Sequence, residues 1–269
     1  MNSPKRSNKN GGGNEIVNRT QGQEGGNNKY KEFKDKETTD TRSYNNRKQD
    51  GQEQKDWFAK HSNFDELIKE MDGTEREAFN DFWAPGHFMR GQQYRGFDNM
   101  SSTDQRLTEI YDNYLDRATL DHGVIVTRMT DAQLVMGAGH YTASLEELRS
   151  MEGKVVPSKG NMSFGAAQHG LRIGDYSKNI EYRLAIPGGT KGAGMWIGDK
   201  RINFWGAEQR EFMTNRDILV KVGKTTYDKT RDVYVVNLKY VGRTEHDYGT
   251  TGKKYKKRKV NKPHYSFSL

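Results

Sequence analysis

Two polar side chains, Gln209 and Glu211, stand just ahead of an apolar pair, Phe212-Met213. In an extended segment, residues two apart share a face. A carboxylate and an amide would then point together into one cleft. The carboxylate can stabilise a developing positive charge, and the amide can hold a polar ligand without taking a proton. Ahead of them come Phe204, Trp205 and the small-residue turn Gly206-Ala207, a loop with two aromatic rings at its tip. A Gln-x-Glu is also what many strands carry on a solvated face. Its meaning depends on what stands upstream.

Three upstream residues could join it. Asp121–Thr130 alternates Val124, Val126 and Arg128 with Ile125, Thr127 and Met129, a strand pattern. An Arg on a mostly apolar strand needs a partner, because an unpaired buried guanidinium is costly. Its planar fork suits phosphate oxygens or a structural carboxylate, and a strand-end Arg reaching solvent is the plain alternative. Ser163 follows the turn Lys159–Met162, where a lone Ser is usually structural. Arg172 is the conspicuous cation of the Gly-containing loop 166–177, and a surface Arg is the plain alternative there too.

In this order, Arg128, Ser163 and Gln209-x-Glu211 resemble the three motifs of the ADP-ribosyltransferase exoenzymes of the Arg-Ser-Glu class. The Gln-x-Glu form resembles the Rho-modifying bacterial exoenzymes and phage-encoded relatives. The run Pro187-Gly188-Gly189 followed by Lys191-Gly192-Ala193 is similar to theirs as well. The resemblance covers about Met71–Val241 and implies an α+β fold, with N-terminal helices packed on two antiparallel-rich sheets that form an NAD cleft. It implies NAD as co-substrate, Glu211 as catalytic residue with Gln209 and Ser163, and Arg128, Arg172 and Tyr94 as NAD-binding residues. Phe204 and Trp205 would contact the acceptor. Gln209 implies an acceptor other than arginine, a host protein residue being expected. The family's Ser-Thr-Ser motif reads Ser163-Phe164-Gly165 here, so two hydroxyls are missing. A catalytically degenerate fold, serving as a phage structural or nucleic-acid-binding protein, is the opposing reading. NAD hydrolysis is a third.

The elements that would position these residues are legible in part. Phe64, Leu67, Ile68 and Met71 recur at helical spacing after Ser62-Asn63, and Gly73 ends the run. Thr74 and Glu77 form a capping-box pattern before Phe79, Phe82 and Trp83, and Pro85-Gly86 stops that helix. Ser102 and Gln105 open a third helix with Leu107, Ile110, Tyr111, Tyr114, Leu115 and Ala118 on its apolar face. Ser144 and Glu147 give another capping box. Ile180–Ile186 reads as a half-buried strand, and Ile218–Val222 and Val233–Val241 as a closing hairpin.

The 269 residues are only 32% apolar and 30% charged, too polar for one compact unit throughout. Residues 1–56 hold almost no apolar side chains and are expected to be a disordered polar arm. Residues 57–242 form the expected enzyme domain and carry 24 Lys/Arg against 25 Asp/Glu. Residues 243–269 carry 8 against 2 and form a basic tail, so the net charge of +8 reports the arms and not the domain. The run Lys253–Lys262 could draw in nucleic acid, or a protein bound on it, as acceptor or partner. Without Cys there is no disulfide frame, thiolate metal site or Cys nucleophile, and the seven His show no ligand spacing, so no metal is expected. No secretory signal and no apolar run of spanning length occur, so no membrane partner is expected. The expected location is the cytoplasm of a host or target cell, reached from a virion or by a dedicated injection route.

Overall fold

The computed structural model describes residues 30–33, 44–81, 96–166, 179–202 and 211–249. It is an α+β fold with one large mixed sheet and one small antiparallel sheet. Helices α1 (Tyr44–His61), α2 (Phe64–Glu70), α3 (Gly73–Asp81) and α4 (Ser102–Leu115) precede most of the strands. Strands β1 (Thr119–Leu120) and β2 (Val124–Thr130) follow, then the short helices α5 (Gln133–Met136) and α6 (Leu145–Ser150). The rest is strand: β3 (Val155–Ser158), β4 (Ser163–Gly165), β5 (Ile180–Ile186), β6 (Thr190–Lys191), β7 (Gly194–Trp196), β8 (Glu211–Thr214), β9 (Ile218–Asp228) and β10 (Val233–Arg243).

The large sheet runs β3-β9-β10-β5-β2-β4-β8-β7, and β1 pairs with β6 apart from it. All its pairs are antiparallel except β5 with β10. The sheet is nearly two sheets. β2 and β4 share the single register pair Thr127↔Gly165, whereas β2 and β5 pair from Val124↔Ile186 to Thr130↔Ile180. One leaf is β3-β9-β10-β5-β2 and the other β4-β8-β7. The two sheets expected from sequence are these leaves, joined at one rung.

The helices close the apolar side. Phe58 of α1 stacks on Trp196 of β7, ring centroids 5.4 Å apart, and meets Phe212 of β8 at 6.1 Å. Phe79 of α3 meets Tyr111 of α4 at 5.0 Å, and the Tyr114 hydroxyl donates to Glu75 Oε2 at 2.6 Å. Burying such rings is the main favourable term holding helices to a sheet.

Several local expectations hold. The Ser144–Glu147 capping box is present, with Ser144 Oγ accepting from the Glu147 N–H and the Glu147 carboxylate accepting from the Ser144 N–H. Two caps differ. The reciprocal pair at α3 is Asp72–Glu75, not Thr74–Glu77: the Asp72 N–H donates to Glu75 Oε2 and the Glu75 N–H to Asp72 Oδ1. The cap of α4 is Ser101, whose Oγ accepts from the Asp104 N–H. In both cases a better oxygen lies one or two residues upstream of the residue the pattern suggests.

The polar segment up to residue 56 also contributes more than its composition suggests. Lys31 pairs with Val124 and Phe33 is buried against Trp57 and Phe58. α1 begins at Tyr44 although its apolar side chains gather only in its last turns. A polar helix with one apolar end is held by docking, which propensity does not report. Beyond residue 242, residues 243–249 fold back onto the domain through Arg243 and His246. The basic run Lys253–Lys262 lies outside the described residues.

Candidate active site

The site lies where the two leaves meet. β4 is only three residues long, and it pairs with β8 as Ser163↔Met213, Phe164↔Phe212 and Gly165↔Glu211. Alternation sends Phe164 and Phe212 to one face, where Phe212 meets Phe58 and Phe64. It sends Ser163, Gly165, Glu211 and Met213 to the other. Ser163 and Glu211 are therefore diagonal neighbours on one face, a relation that brings long polar side chains within reach of each other. Both are buried, Glu211 completely.

The departures from Ser-Thr-Ser acquire a physical reading. Phe164 is wholly buried in the apolar layer, so an aromatic ring replaces a hydroxyl on the core side. Gly165 stands directly across from Glu211 and leaves the carboxylate without a side chain opposite it. The next residue in that row is Thr127 of β2, buried and paired with Gly165. Glu211, Gly165 and Thr127 thus form one row over three strands, about 10 Å across at the usual strand spacing. Thr127 stands in the row of Glu211, a position that the sequence reading did not single out. The signal was its place beside Arg128, which only the register makes meaningful.

Arg128 lies on the face of Val124 and Val126, where an unanswered guanidinium would be expensive. Its Nη1 donates to the Ser163 carbonyl oxygen at 2.6 Å. The structure thus brings Arg128 and Ser163 together across the joint. A brace behind β4 fixes them. The Asn161 amide donates to the Thr214 carbonyl at 3.0 Å, the Met162 N–H donates to Thr214 Oγ1 at 3.1 Å, and the Thr214 N–H returns to the Met162 carbonyl at 2.8 Å. Asn161, wholly buried, also escaped the sequence reading, since nothing distinguishes it there from an ordinary turn residue. On the outer side, the Ile197 N–H donates to the Glu211 carbonyl at 2.8 Å and holds the first residue of β8 in line.

Past its other end, β8 leads to a second buried charge cluster. Arg216 grips Asp112 of α4 with Nε at 3.0 Å from both carboxylate oxygens and Nη2 at 2.8 Å from Oδ2. His246 places Nδ1 3.0 Å from Asp217 and Nε2 2.9 Å from Asp116. Burial opposes a charge on His246, but hydrogen bonds to Asp116 and Asp217 and the charge of Asp112 outweigh it, so its pKa lies above the ordinary 6.5. Burial likewise opposes ionisation of Asp116, and His246, Arg243 and Asn215 prevail, holding its pKa below 3.8. This cluster pins the turn after β8 and the segment after β10 to α4.

Gln209, Phe204, Trp205, Arg172 and Tyr94, the remaining expected site residues, lie outside the described residues. Among the described residues, no helix is long and apolar enough to cross a membrane.

Neither a protein-family model nor a curated protein matches the chain significantly. Solved structures do. The fold is similar to that of Plx2a, an ADP-ribosyltransferase toxin from Paenibacillus larvae, with TM-score 0.60 and 15% identity, covering 72% of this chain and 97% of that one. It is similar to the Clostridium limosum C3 exoenzyme, with TM-score 0.60 and 13% identity over 79% of this chain and 97% of that one. It is similar to C3stau2 from S. aureus, a structure with NAD, at TM-score 0.59 and 14% identity over 80% of this chain and 99% of that one. The chain has the fold of ADP-ribosyltransferase exoenzymes over nearly their whole length.

Proposed function

We propose that the protein is an NAD-dependent mono-ADP-ribosyltransferase. The observation that carries this is the placement of Ser163 and Glu211 on one face of the β4–β8 pair at the joint of the two leaves, with the Ser163 carbonyl held by the Arg128 guanidinium. The fold it shares with Plx2a and the C3 exoenzyme supports the reading, as does the presence of NAD with C3stau2.

The residues fit the co-substrate by chemistry. NAD brings a pyrophosphate, which calls for a cation, and a ribose, which calls for acceptors and donors. Arg128 offers a guanidinium whose planar fork suits phosphate oxygens, and its Nη1 donates to the Ser163 carbonyl. Glu211 would accept from a ribose hydroxyl, and Gly165 directly across from it adds no side chain of its own between them. Breaking the nicotinamide–ribose bond passes through an oxocarbenium-like state, as glycoside hydrolysis does. A buried carboxylate stabilises that cation far better than one in water. Ser163 orients Glu211 and the ribose. Arg172 and Tyr94 would close on NAD, Gln209 would hold the incoming nucleophile, and Phe204 and Trp205 would meet the acceptor. Because an amide cannot remove a proton, the acceptor is a group other than the weakly acidic arginine guanidinium, on a host protein.

Nicotinamide release from NAD, with and without host-cell lysate, tests the reading. Release by the protein and its loss in Glu211→Ala is the expected result, with label on a lysate protein identifying the acceptor. Release with no labelled product means transfer to water. No release by the folded protein overturns the enzyme reading and favours a binding role for the fold.

A further inference from the structure

A second cluster of chemistry-bearing side chains lies outside this site. His61 is the last residue of α1, and Asp121 and His122 form the turn that leads into β2. His61 Nδ1 is 3.2 Å and His122 Nδ1 2.9 Å from the same oxygen, Asp121 Oδ1. All three ligand-capable atoms lie within 4.8 Å of one another. The two rings are close, centroids 4.1 Å apart.

We propose that His61, Asp121 and His122 form a binding site for a divalent transition cation of the zinc class, clasping the end of α1 to the turn before β2. Two imidazole nitrogens and one carboxylate oxygen are a donor set for zinc, cobalt, nickel or copper, whereas calcium and magnesium take oxygen ligands. The backbone already holds the two segments in register. The Asp121 N–H donates to the His61 carbonyl at 3.0 Å, and Ser62 pairs with Leu120. A site so framed needs little rearrangement. The His122 side chain is 60% exposed, so it can adjust the three atoms, already within 4.8 Å of one another, to one ion at about 2.1 Å from each ligand. His61 is anchored on its other face by Trp57, centroids 4.9 Å apart. In binding, each neutral ring moves the proton that its Nδ1 donates to Asp121 Oδ1 over to Nε2 and gives the freed Nδ1 lone pair to the cation, with no net proton release. The exposed side of the cluster leaves the remaining coordination position to water. The clasp also has a route to the site above, because α1 carries Phe58, which packs on Trp196 and Phe212 next to Glu211.

Thermal unfolding of the full chain, stripped with EDTA and titrated with zinc chloride, tests the proposal, with Trp57 fluorescence under copper(II) as second readout. The midpoint should rise by about 5 °C when free zinc exceeds its dissociation constant a hundredfold. Copper should quench the tryptophan signal at one equivalent. His122→Ala, at an exposed position, and Asp121→Asn should each remove both effects, while His140→Ala, at an exposed histidine elsewhere, should keep them. No zinc-dependent rise in the unsubstituted chain, or an equal rise in His122→Ala, would overturn the site. The test reads neither NAD nor ADP-ribose, so its failure leaves the proposed enzyme activity standing and the converse also holds.

Discussion

Strand β8 has buried charge at its first residue and again just past its last, and the two differ in kind. At one end Glu211 opens the strand in a row with Gly165 and Thr127, facing the joint between leaves. Past the other, Arg216 and Asp217 enter a set in which Asp112, Asp116 and His246 supply opposite charges at 2.8–3.6 Å. The second cluster is built from five charged groups on three segments, each answered by its neighbours. Such a set fixes geometry and is costly to break. The first places one carboxylate across from a glycine, in a register row of Glu211, Gly165 and Thr127 that contains no cationic residue. The carboxylates answered by Arg216 and His246 serve structure, whereas the one that opens β8 at the joint between the leaves is the one we propose for chemistry.

Substitutions can break that comparison. Arg216→Ala should have the largest effect, leaving Asp112 buried without its guanidinium and lowering unfolding free energy by about 3–5 kcal/mol in urea titration. If stability barely changes, the cluster is not the structural one. Glu211→Gln keeps shape and removes charge. It should lower nicotinamide release by about 10²–10³-fold, with the unfolding midpoint nearly unchanged. An equal loss of stability would make Glu211 structural too.

The pH dependence sharpens the difference. His246 has its folded pKa raised above 6.5, so its contribution is fully present below that value and is lost as pH rises through the folded pKa. Asp116 has its folded pKa lowered below 3.8, so its contribution is present above 3.8 and lost as pH falls through the folded pKa. Unfolding free energy should therefore peak between these limits, and His246→Gln should flatten the alkaline fall. A fall of equal size in that variant would assign it to other groups. The smallest effect is expected at a surface pair, Lys69 with Asp65 on α2, where the Lys69 side chain is 67% exposed. Lys69→Ala should change stability by about 0.5 kcal/mol or less. A larger change would mean that solvated pairs matter here as much as buried ones.

What the sequence reveals follows the range of the interaction. Ile180–Ile186 and the Ser144–Glu147 box are legible because their patterns are local. The motif order Arg128, Ser163, Glu211 points to strands that the fold does bring side by side at the joint. Phe33 is invisible as a core residue, since one ring in a polar segment has no periodicity, and its partners Trp57 and Phe58 lie far along the chain. The His246 cluster is hidden for the same reason: Asp112 and Asp116 come from a helix more than a hundred residues away. The zinc-class cluster pairs His61 with His122, a separation that no ligand spacing describes. Register decides Thr127, because a shift of one residue would put Arg128 in the row with Glu211 instead.

The parallel pairing of β5 with β10 has a consequence during synthesis. In space β10 sits between β9 and β5, yet it is the last of the described strands to be made. Until it emerges, β3 and β9 can associate only with each other, while β5, β2 and the short leaf present an open edge at β5. The nascent chain therefore carries β5 as an edge strand, paired on one side only, until residues 233–243 arrive, the kind of edge that invites association with other chains. Slow elongation through the β9–β10 hairpin would prolong that exposure, so yield of soluble protein should depend on how quickly that stretch is translated.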